Sequence, residues 1–286
     1  MVESQLIHGD AVQAMKALPD ACAGLIIADP PYNLDKDKEF CIPIPFSTDS
    51  EWTQWSHSWL EEAKRLLTPK GNLFVYAIHH NACYLQCALY SLGLEYRRQI
   101  IWYYENGWSK YTLGPACHYE PILWFSRQRN STYHVIREPY KSAVRLRHKI
   151  TKRGKEWKPH PDGRQAGDVW RFPTLAGRRF AKERTKHPTQ KPERLTSRIV
   201  KHFSNPGELV LVPFLGSGTE CVVAAQLGRR FWGAELNPAY IDIARARLAT
   251  VSPELIEVTA KQLIRPEATC ESLCLFPNTH DTQFLQ

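Results

Sequence analysis

Residues 209–235 read LVLVPFLGSGTECVVAAQLGRRFWGAE, and this stretch decides the fold. Its first four residues form a continuous apolar run, as a strand buried on both faces of a parallel sheet requires. A turn carrying Gly216 and Gly218 follows, and then an apolar helix to about residue 227. A second apolar run ends on an acid, Glu235, 19 residues after Gly216. Strand, glycine turn, helix and acid-terminated strand make the layout of a nucleotide-binding βαβ unit. The glycines let the backbone approach a ligand, and the acid accepts hydrogen bonds from ribose hydroxyls. No lysine follows the glycines to neutralise phosphates, so a cofactor without phosphates suits the turn best. Such turns also occur as plain packing features, so the unit needs company before it means function.

The company lies upstream. Residues 193–203 have helical apolar spacing, and residues 240–249 form a last helix. In the first half, residues 6–7 are a short strand, 11–18 a helix and 24–28 (GLIIA) a second buried strand, which ends in Asp29-Pro30-Pro31-Tyr32. Residues 51–67 make an amphipathic helix whose Trp52, Trp55 and Trp59 fall at helical spacing and read as core. After a turn at Pro69-Lys70-Gly71 come a strand at 73–78, a helix at 81–92 and strands at 98–104 and 121–125. Strands alternating with helices at both ends of the chain predict an α/β fold, a mostly parallel sheet with helices on both faces.

The chain has 286 residues and a formal net charge of +8. The distribution of that charge is more informative than its size. Residues 127–186 hold 18 Lys or Arg against 5 Asp or Glu, a local +13, which leaves −5 for the remainder. A polyanionic partner explains one segment carrying more than the whole positive excess; a solvated basic loop is the plainer alternative. No apolar run approaches the roughly 20 residues of a membrane span, and the first ten residues do not read as a secretory signal. The eight cysteines are scattered, which fits a reducing cytoplasm. Cys83 and Cys87, like Cys270 and Cys274, are four apart without a second half, so no metal site is expected.

The Asp29–Tyr32 turn stands where open α/β sheets place their active sites, at the carboxyl end of a strand. Its residues suit the alkylation of an aromatic amine. Such an amine is a poor nucleophile because its lone pair is delocalised into the ring. A carboxylate and a backbone carbonyl, both accepting from the NH2 group, localise that pair and aim it. Two prolines stiffen the turn and fix where its carbonyls point. Tyr32 offers a flat face on which an extruded base can stack.

Four blocks now stand in order: His8-Gly9-Asp10, Asp29-Pro30-Pro31-Tyr32-Asn33, His187-Pro188-Thr189-Gln190-Lys191-Pro192, and Pro213-Phe214-Leu215-Gly216-Ser217-Gly218-Thr219. Residues 233–238 (GAELNP) and Tyr240 support them. In this order, over residues 5–248, the sequence resembles the β-class DNA amino-methyltransferases, which act on adenine N6 or cytosine N4. The resemblance implies a circularly permuted Rossmann-like methyltransferase fold that uses S-adenosylmethionine. Asp29 and the Pro30 carbonyl, set by Pro31, would hold the target amine, and Tyr32 would stack on the flipped base. Phe214, Gly216, Ser217, Gly218 and Thr219 would line the methionine side of the cofactor, with Asp29 near its ammonium. Glu235 would hold the ribose and Asp10 lie near the adenine, while Thr189 and Lys191 would contact the cofactor from the helix start. Catalytic turn before glycine turn, and Asp rather than Asn at its head, favour DNA over RNA or protein. Asp in that place goes mostly with adenine and Ser with cytosine.

The resemblance divides the chain into a catalytic half at 1–126, a basic target-recognition insertion at 127–186, a cofactor half at 187–250 and a tail at 251–286. Arg145, Arg147, Lys149, Lys152 and Arg153 are the expected DNA contacts in the insertion. Double-stranded DNA is the implied partner, no membrane is, and a homodimer and a cognate restriction enzyme are both compatible. The setting implied is the cytoplasm of a bacterium, or a phage gene expressed there. One departure stands out. The family usually has Asp directly before Pro213-Phe214, where this chain has Val212, so cofactor binding is expected to be weakened and Val212→Asp to strengthen it. A DNA-binding homologue with weakened activity, a cytosine-N4 enzyme and an RNA methyltransferase are the alternative readings.

Overall fold

The structure is a computed structural model that describes residues 2–32, 46–106, 114–147, 149–251 and 256–259. The first part of the chain runs β1 (Gln5–His8), α1 (Ala11–Lys16), β2 (Ala23–Ala28), α2 (Asp49–Leu66), β3 (Leu67–Tyr76), α3 (Ala82–Ser91), β4 (Glu95–Tyr103) and β5 (Tyr119–Ser126). The basic stretch holds five short strands, β6 (Arg137–Glu138), β7 (Ile150–Lys152), β8 (Lys155–Trp157), β9 (Arg164–Gln165) and β10 (Val169–Arg171). The remainder is α4 (Glu193–Phe203), β11 (Leu209–Val212), α5 (Thr219–Gln226), β12 (Arg230–Glu235), α6 (Pro238–Leu248) and β13 (Ile256–Thr259).

Nine strands form one sheet in the order β10-β4-β5-β3-β2-β11-β12-β1-β13. Every neighbouring pair is parallel except β3–β5 and β4–β5, so β5 alone runs against the rest. β2 and β11, far apart in sequence, are central neighbours, with Val210 opposite Leu25 and Leu211 opposite Ile26. That pairing brings the ends of the two predicted buried strands, and the turns that follow them, side by side.

Both faces of the sheet are covered. Leu209 and Leu211 of β11 join Met15, Trp52, Trp59, Leu85 and Leu89 of α1–α3 in one apolar layer. Val210 and Val212 join Leu195, Ile199, Val222, Ile241 and Leu248 of α4–α6 in the other. The alternation along four buried residues follows from the pleat, which sends successive side chains to opposite faces. Trp52 and Trp59 are fully buried, as their spacing predicts, whereas Trp55 is half-buried and packs on Phe46 and Phe214.

The structure adds three features to the sequence reading. The Pro69-Lys70-Gly71 turn lies within β3: Ala23 pairs with Leu67 and Leu25 with Asn72, so residues 68–71 loop out opposite Gly24. The basic stretch gives the core sheet an edge strand, with Trp170 of β10 opposite Trp102 of β4. Three residues are too short a run for periodicity to reveal; buried Trp170 anchors them by packing near Phe203. The tail, whose order the sequence leaves open, adds β13 beside β1. Asn33, Cys270 and Cys274 lie outside the described residues.

Candidate active site

β2 is buried at all six positions, so the chain leaves the core only at Asp29. The turn that follows is held from two sides. The Trp52 indole Nε1 donates to the Pro31 carbonyl at 2.7 Å, and Asn81 Nδ2 donates to the Tyr32 carbonyl at 2.9 Å. The Pro30 carbonyl beside them receives no hydrogen bond among the described residues. Among the described residues, only the Pro31 and Tyr32 carbonyls of this turn are taken up by side chains.

Four charged or phenolic side chains meet beside it. The Tyr32 hydroxyl donates to Asp29 Oδ1 at 2.5 Å and lies 3.5 Å from Glu120 Oε2. Lys191 Nζ is 2.9 Å from Asp29 Oδ2, 3.4 Å from Glu120 Oε2 and 3.1 Å from the Tyr32 hydroxyl. The ammonium also lies 5.4 Å from the Tyr32 ring centre, 5.0 Å from that of Tyr76 and 5.9 Å from that of Trp102, within cation–π reach of all three. The sheet explains the meeting. β5 is antiparallel, so its first residues lie at the edge where the parallel strands end, and Glu120 arrives there opposite Trp102.

Burial governs the electrostatics. It raises the Tyr32 phenol far above its ordinary range, and the Asp29 and Glu120 charges add to the effect. It also raises the Glu120 carboxyl, although Lys191 pulls it back. For Lys191, burial opposes the charge, but Asp29 and Glu120 outweigh it and hold the ammonium above its usual range. A third carboxylate, Glu220 in the first turn of α5, is buried with Thr196 Oγ1 3.5 Å away. Burial, then the Asp29 charge, pushes it up to about 7.

The segment before α4 is braced so that it delivers Lys191. Gln190 Oε1 accepts from the Thr185 backbone N–H at 2.7 Å and its hydroxyl at 2.9 Å, and Gln190 Nε2 donates to the Glu183 carbonyl at 2.9 Å. Thr189, two residues back from Lys191, is exposed. His187 packs edge-on against Tyr240 at 4.4 Å, and burial lowers its imidazole from 6.5 to about 4, so it is neutral at physiological pH.

The glycine turn is built for close approach. Gly216 and Gly218 have φ of 51° and 76°, a region that L side chains rarely adopt. A Cβ on Gly216 would stand 2.9 Å from His187 Nε2, and one on Gly218 would stand 2.6 Å from Ala244 Cβ. Glu235 faces this turn: its carboxylate accepts from Gly216 N at 2.8 Å and Asn237 N at 2.9 Å. Gly9 N donates to the Glu235 carbonyl at 2.9 Å, which sets Asp10 next to it. Asp10 is also the N-cap of α1, accepting from Gln13 N at 2.9 Å. Backbone glycines and an oriented acid, in a turn whose sequence offers phosphates no lysine, fit a nucleoside with a cationic amino-acid arm.

Other members of the predicted set point elsewhere. The Ser217 and Thr219 side chains contact Arg247, whose Nη1 is 2.9 Å from Thr219 Oγ1 and whose Nη2 is 2.7 Å from Glu193. They brace α5 against α4 and α6. The Phe214 ring packs against Trp55 and Trp59, 5.5 and 5.3 Å away.

Val212 requires a correction. Its side chain is 1% exposed and lies in the apolar layer under α4–α6, where the neighbouring helix α5 also buries Glu220. An acid there would be a second buried carboxylate rather than an open arm toward the cofactor. Val212→Asp is therefore expected to destabilise the protein by about 3 kcal/mol or more, the scale of an uncompensated buried charge. Urea denaturation of the variant measures it. A variant as stable as its parent, with tighter cofactor binding in calorimetry, would show that the strand end opens to the ligand.

Sequence reasoning misses Glu120, Glu220 and the second role of Trp52. An acid immediately before the apolar run at 121–125 is the available signal for Glu120. Lys191 is expected at the cofactor, and the structure places it against the Asp29 and Glu120 carboxylates.

The family model described as DNA methylase, of N6 and N4 type, matches residues 23–246. The type II methyltransferase M1.MboII of Moraxella bovis is 34% identical over 255 residues, which are 85% of this chain and 96% of that protein. Among solved structures, the cytosine-N4-specific PvuII DNA methyltransferase superposes with a TM-score of 0.66 at 16% identity, over 92% of this chain and 90% of its own. The M1.HpyAVI–SAM complex gives a TM-score of 0.56 at 23% identity, over 85% of this chain and 98% of its own. At those identities the two structures share the fold.

Proposed function

Since the chain belongs to the DNA methylase family of N6 and N4 type, we propose that it methylates the exocyclic amine of adenine in duplex DNA from S-adenosylmethionine. The observation that carries this reading is the Asp29 turn, in which Trp52 and Asn81 hold the Pro31 and Tyr32 carbonyls while no described residue occupies that of Pro30. Bound S-adenosylmethionine supplies a methyl group made electrophilic by its sulfonium. Glu235, oriented by two backbone N–H groups, accepts from the ribose, and the glycines let the methionine arm lie against the backbone. Asp29 and the Pro30 carbonyl each accept one amine hydrogen, which turns the nitrogen lone pair toward the methyl carbon. Tyr32, its hydroxyl tied to Asp29, presents its ring to the extruded base. Adenine is favoured by the Asp at the head of the turn; the likeness to a cytosine-N4 enzyme is one of fold. The test is transfer of labelled methyl to duplex DNA and to RNA, followed by nucleoside analysis. N6-methyladenine from duplex DNA is expected. N4-methylcytosine would overturn the base, and labelling of RNA alone would overturn the substrate.

The basic stretch at 127–186 supplies the DNA contacts in this reading. Arg145 and Arg147 are exposed on the short helical turn Ala143–Arg147. Lys149 is exposed and 3.4 Å from Glu156. Lys152 ends β7, and exposed Arg153 follows at φ 51° with Gly154 at φ 73°, the tip of the β7–β8 hairpin. Affinity for DNA should fall steeply with salt. Replacing Arg145, Arg147 and Arg153 by Ala should flatten the log–log slope by about 0.9 for each phosphate that is no longer neutralised. An unchanged slope would mean that other residues meet the phosphates. A cognate restriction enzyme and a cytoplasmic, bacterial or phage setting complete the proposal, supported by the relation to the type II enzyme of Moraxella bovis.

A further inference from the structure

Methylation of an aromatic amine leaves a proton to be disposed of. As nitrogen bonds to the methyl carbon, the carbon–sulfur pair returns to sulfur, and the nitrogen becomes cationic with one hydrogen too many. The Pro30 carbonyl can accept a hydrogen bond but cannot keep a proton. Both oxygens of Asp29 already accept from the chain itself, Oδ1 from Tyr32 and Oδ2 from Lys191. Glu120 differs. Only Oε2 is engaged among the described residues, and at longer range, 3.4 Å from Lys191 and 3.5 Å from Tyr32. The Tyr32 hydroxyl touches both carboxylates, so it joins them.

Resting on the amine-methylation reading, we propose that Glu120 is a further catalytic residue, the final acceptor of the proton that leaves the amine. The amine proton passes to Asp29 Oδ1; the Tyr32 hydroxyl, which at rest donates to that oxygen, turns its hydrogen toward Glu120 Oε2, takes the Asp29 proton on its own oxygen and hands its hydrogen to Glu120. Asp29 ends ionised, Tyr32 neutral and Glu120 protonated, and Glu120 gives its proton to water after product leaves. Burial strengthens Glu120 as a base, and Lys191 stays between the two carboxylates throughout. Proton withdrawal accompanies nitrogen–carbon bond formation, because it relieves the positive charge growing on a non-basic nitrogen.

The groups facing Glu120 are Asp29 and Tyr32 after β2, Tyr76 of β3, Tyr104 after β4 and Lys191 before α4. Glu220, which acts on Tyr76 and titrates near 7, is the competitor for any pH effect. The experiment therefore compares Glu120→Gln and Glu220→Gln with the parent in single-turnover methyl transfer across pH, with cofactor affinity by calorimetry alongside. Glu120→Gln should slow transfer on the order of 100-fold, keep cofactor affinity, and lose the limb along which the parent's rate rises with pH. Glu120→Asp should restore part of the rate and the limb. Two results would overturn the proposal: Glu120→Gln keeps the limb while Glu220→Gln loses it, or Glu120→Gln transfers at the parental rate. If Asp29→Ala also transfers normally, the amine-methylation reading fails with it; if Asp29→Ala is inactive, only the role of Glu120 fails.

Discussion

Asp29→Ala is expected to lose methyl transfer by about 100-fold or more, the cost of removing a preorganised polar contact at a reacting centre. It should still fold and still bind cofactor. The fold survives because Lys191 keeps Glu120 as a counter-ion, 3.4 Å away, and because Trp52 and Asn81 hold the turn through backbone carbonyls. The cofactor half survives because Glu235 is oriented by Gly216 and Asn237. The loss should therefore appear in the rate of transfer, with cofactor affinity changed by less than about tenfold. Single-turnover kinetics with calorimetry on the same variant measures both. Near-parental turnover would remove Asp29 from the chemistry.

Lys191→Met has the largest expected effect on stability. The lysine is 5% exposed and supplies the cation that separates two carboxylates. Met keeps most of the aliphatic stem and deletes the charge. Asp29 and Glu120 are then left as neighbouring carboxylates without their counter-ion. Breaking a buried ion pair from one side costs about 3–5 kcal/mol. The pH dependence has a definite sign. In the variant, a carboxylate held beside another in this partly buried site takes up a proton more readily folded than unfolded, so variant stability rises as pH falls. Chemical denaturation at pH 8 and pH 5.5 should show the deficit shrinking on acidification. A deficit below about 1 kcal/mol at pH 8 would mean that water screens the pair.

Much of the frame can be read from the residues. Residues 24–28 and 209–212 are continuous apolar runs because both faces of a central parallel strand are covered, and each run ends where the site begins. The helix predicted at 193–203 forms over those same residues because its apolar face repeats cleanly. The glycines at 216 and 218 mark a backbone that does take up positive φ.

What stays hidden depends on contacts between distant segments. Nothing local states that β5 runs antiparallel, yet that direction alone brings Glu120 to the edge where Asp29 stands. Trp52 carries the spacing of a core residue and is one, but its indole N–H also fixes the catalytic turn. Lys191 lies in a block associated with cofactor contacts, and its direction is set by two carboxylates far upstream, Asp29 and Glu120. Val212 shows the same limit: whether an acid would suit it depends on which face of β11 it occupies, and that face is the apolar layer under α4–α6.

Whether the Asp29 turn methylates adenine in DNA is tested most directly by sequencing, with a method that detects modified bases, the DNA of cells expressing the chain or its Asp29→Ala variant. N6-methyladenine at one recurring sequence, present with the parent and absent with the variant, is the predicted result. Unmodified DNA with both proteins, or the same modification with both, would contradict it.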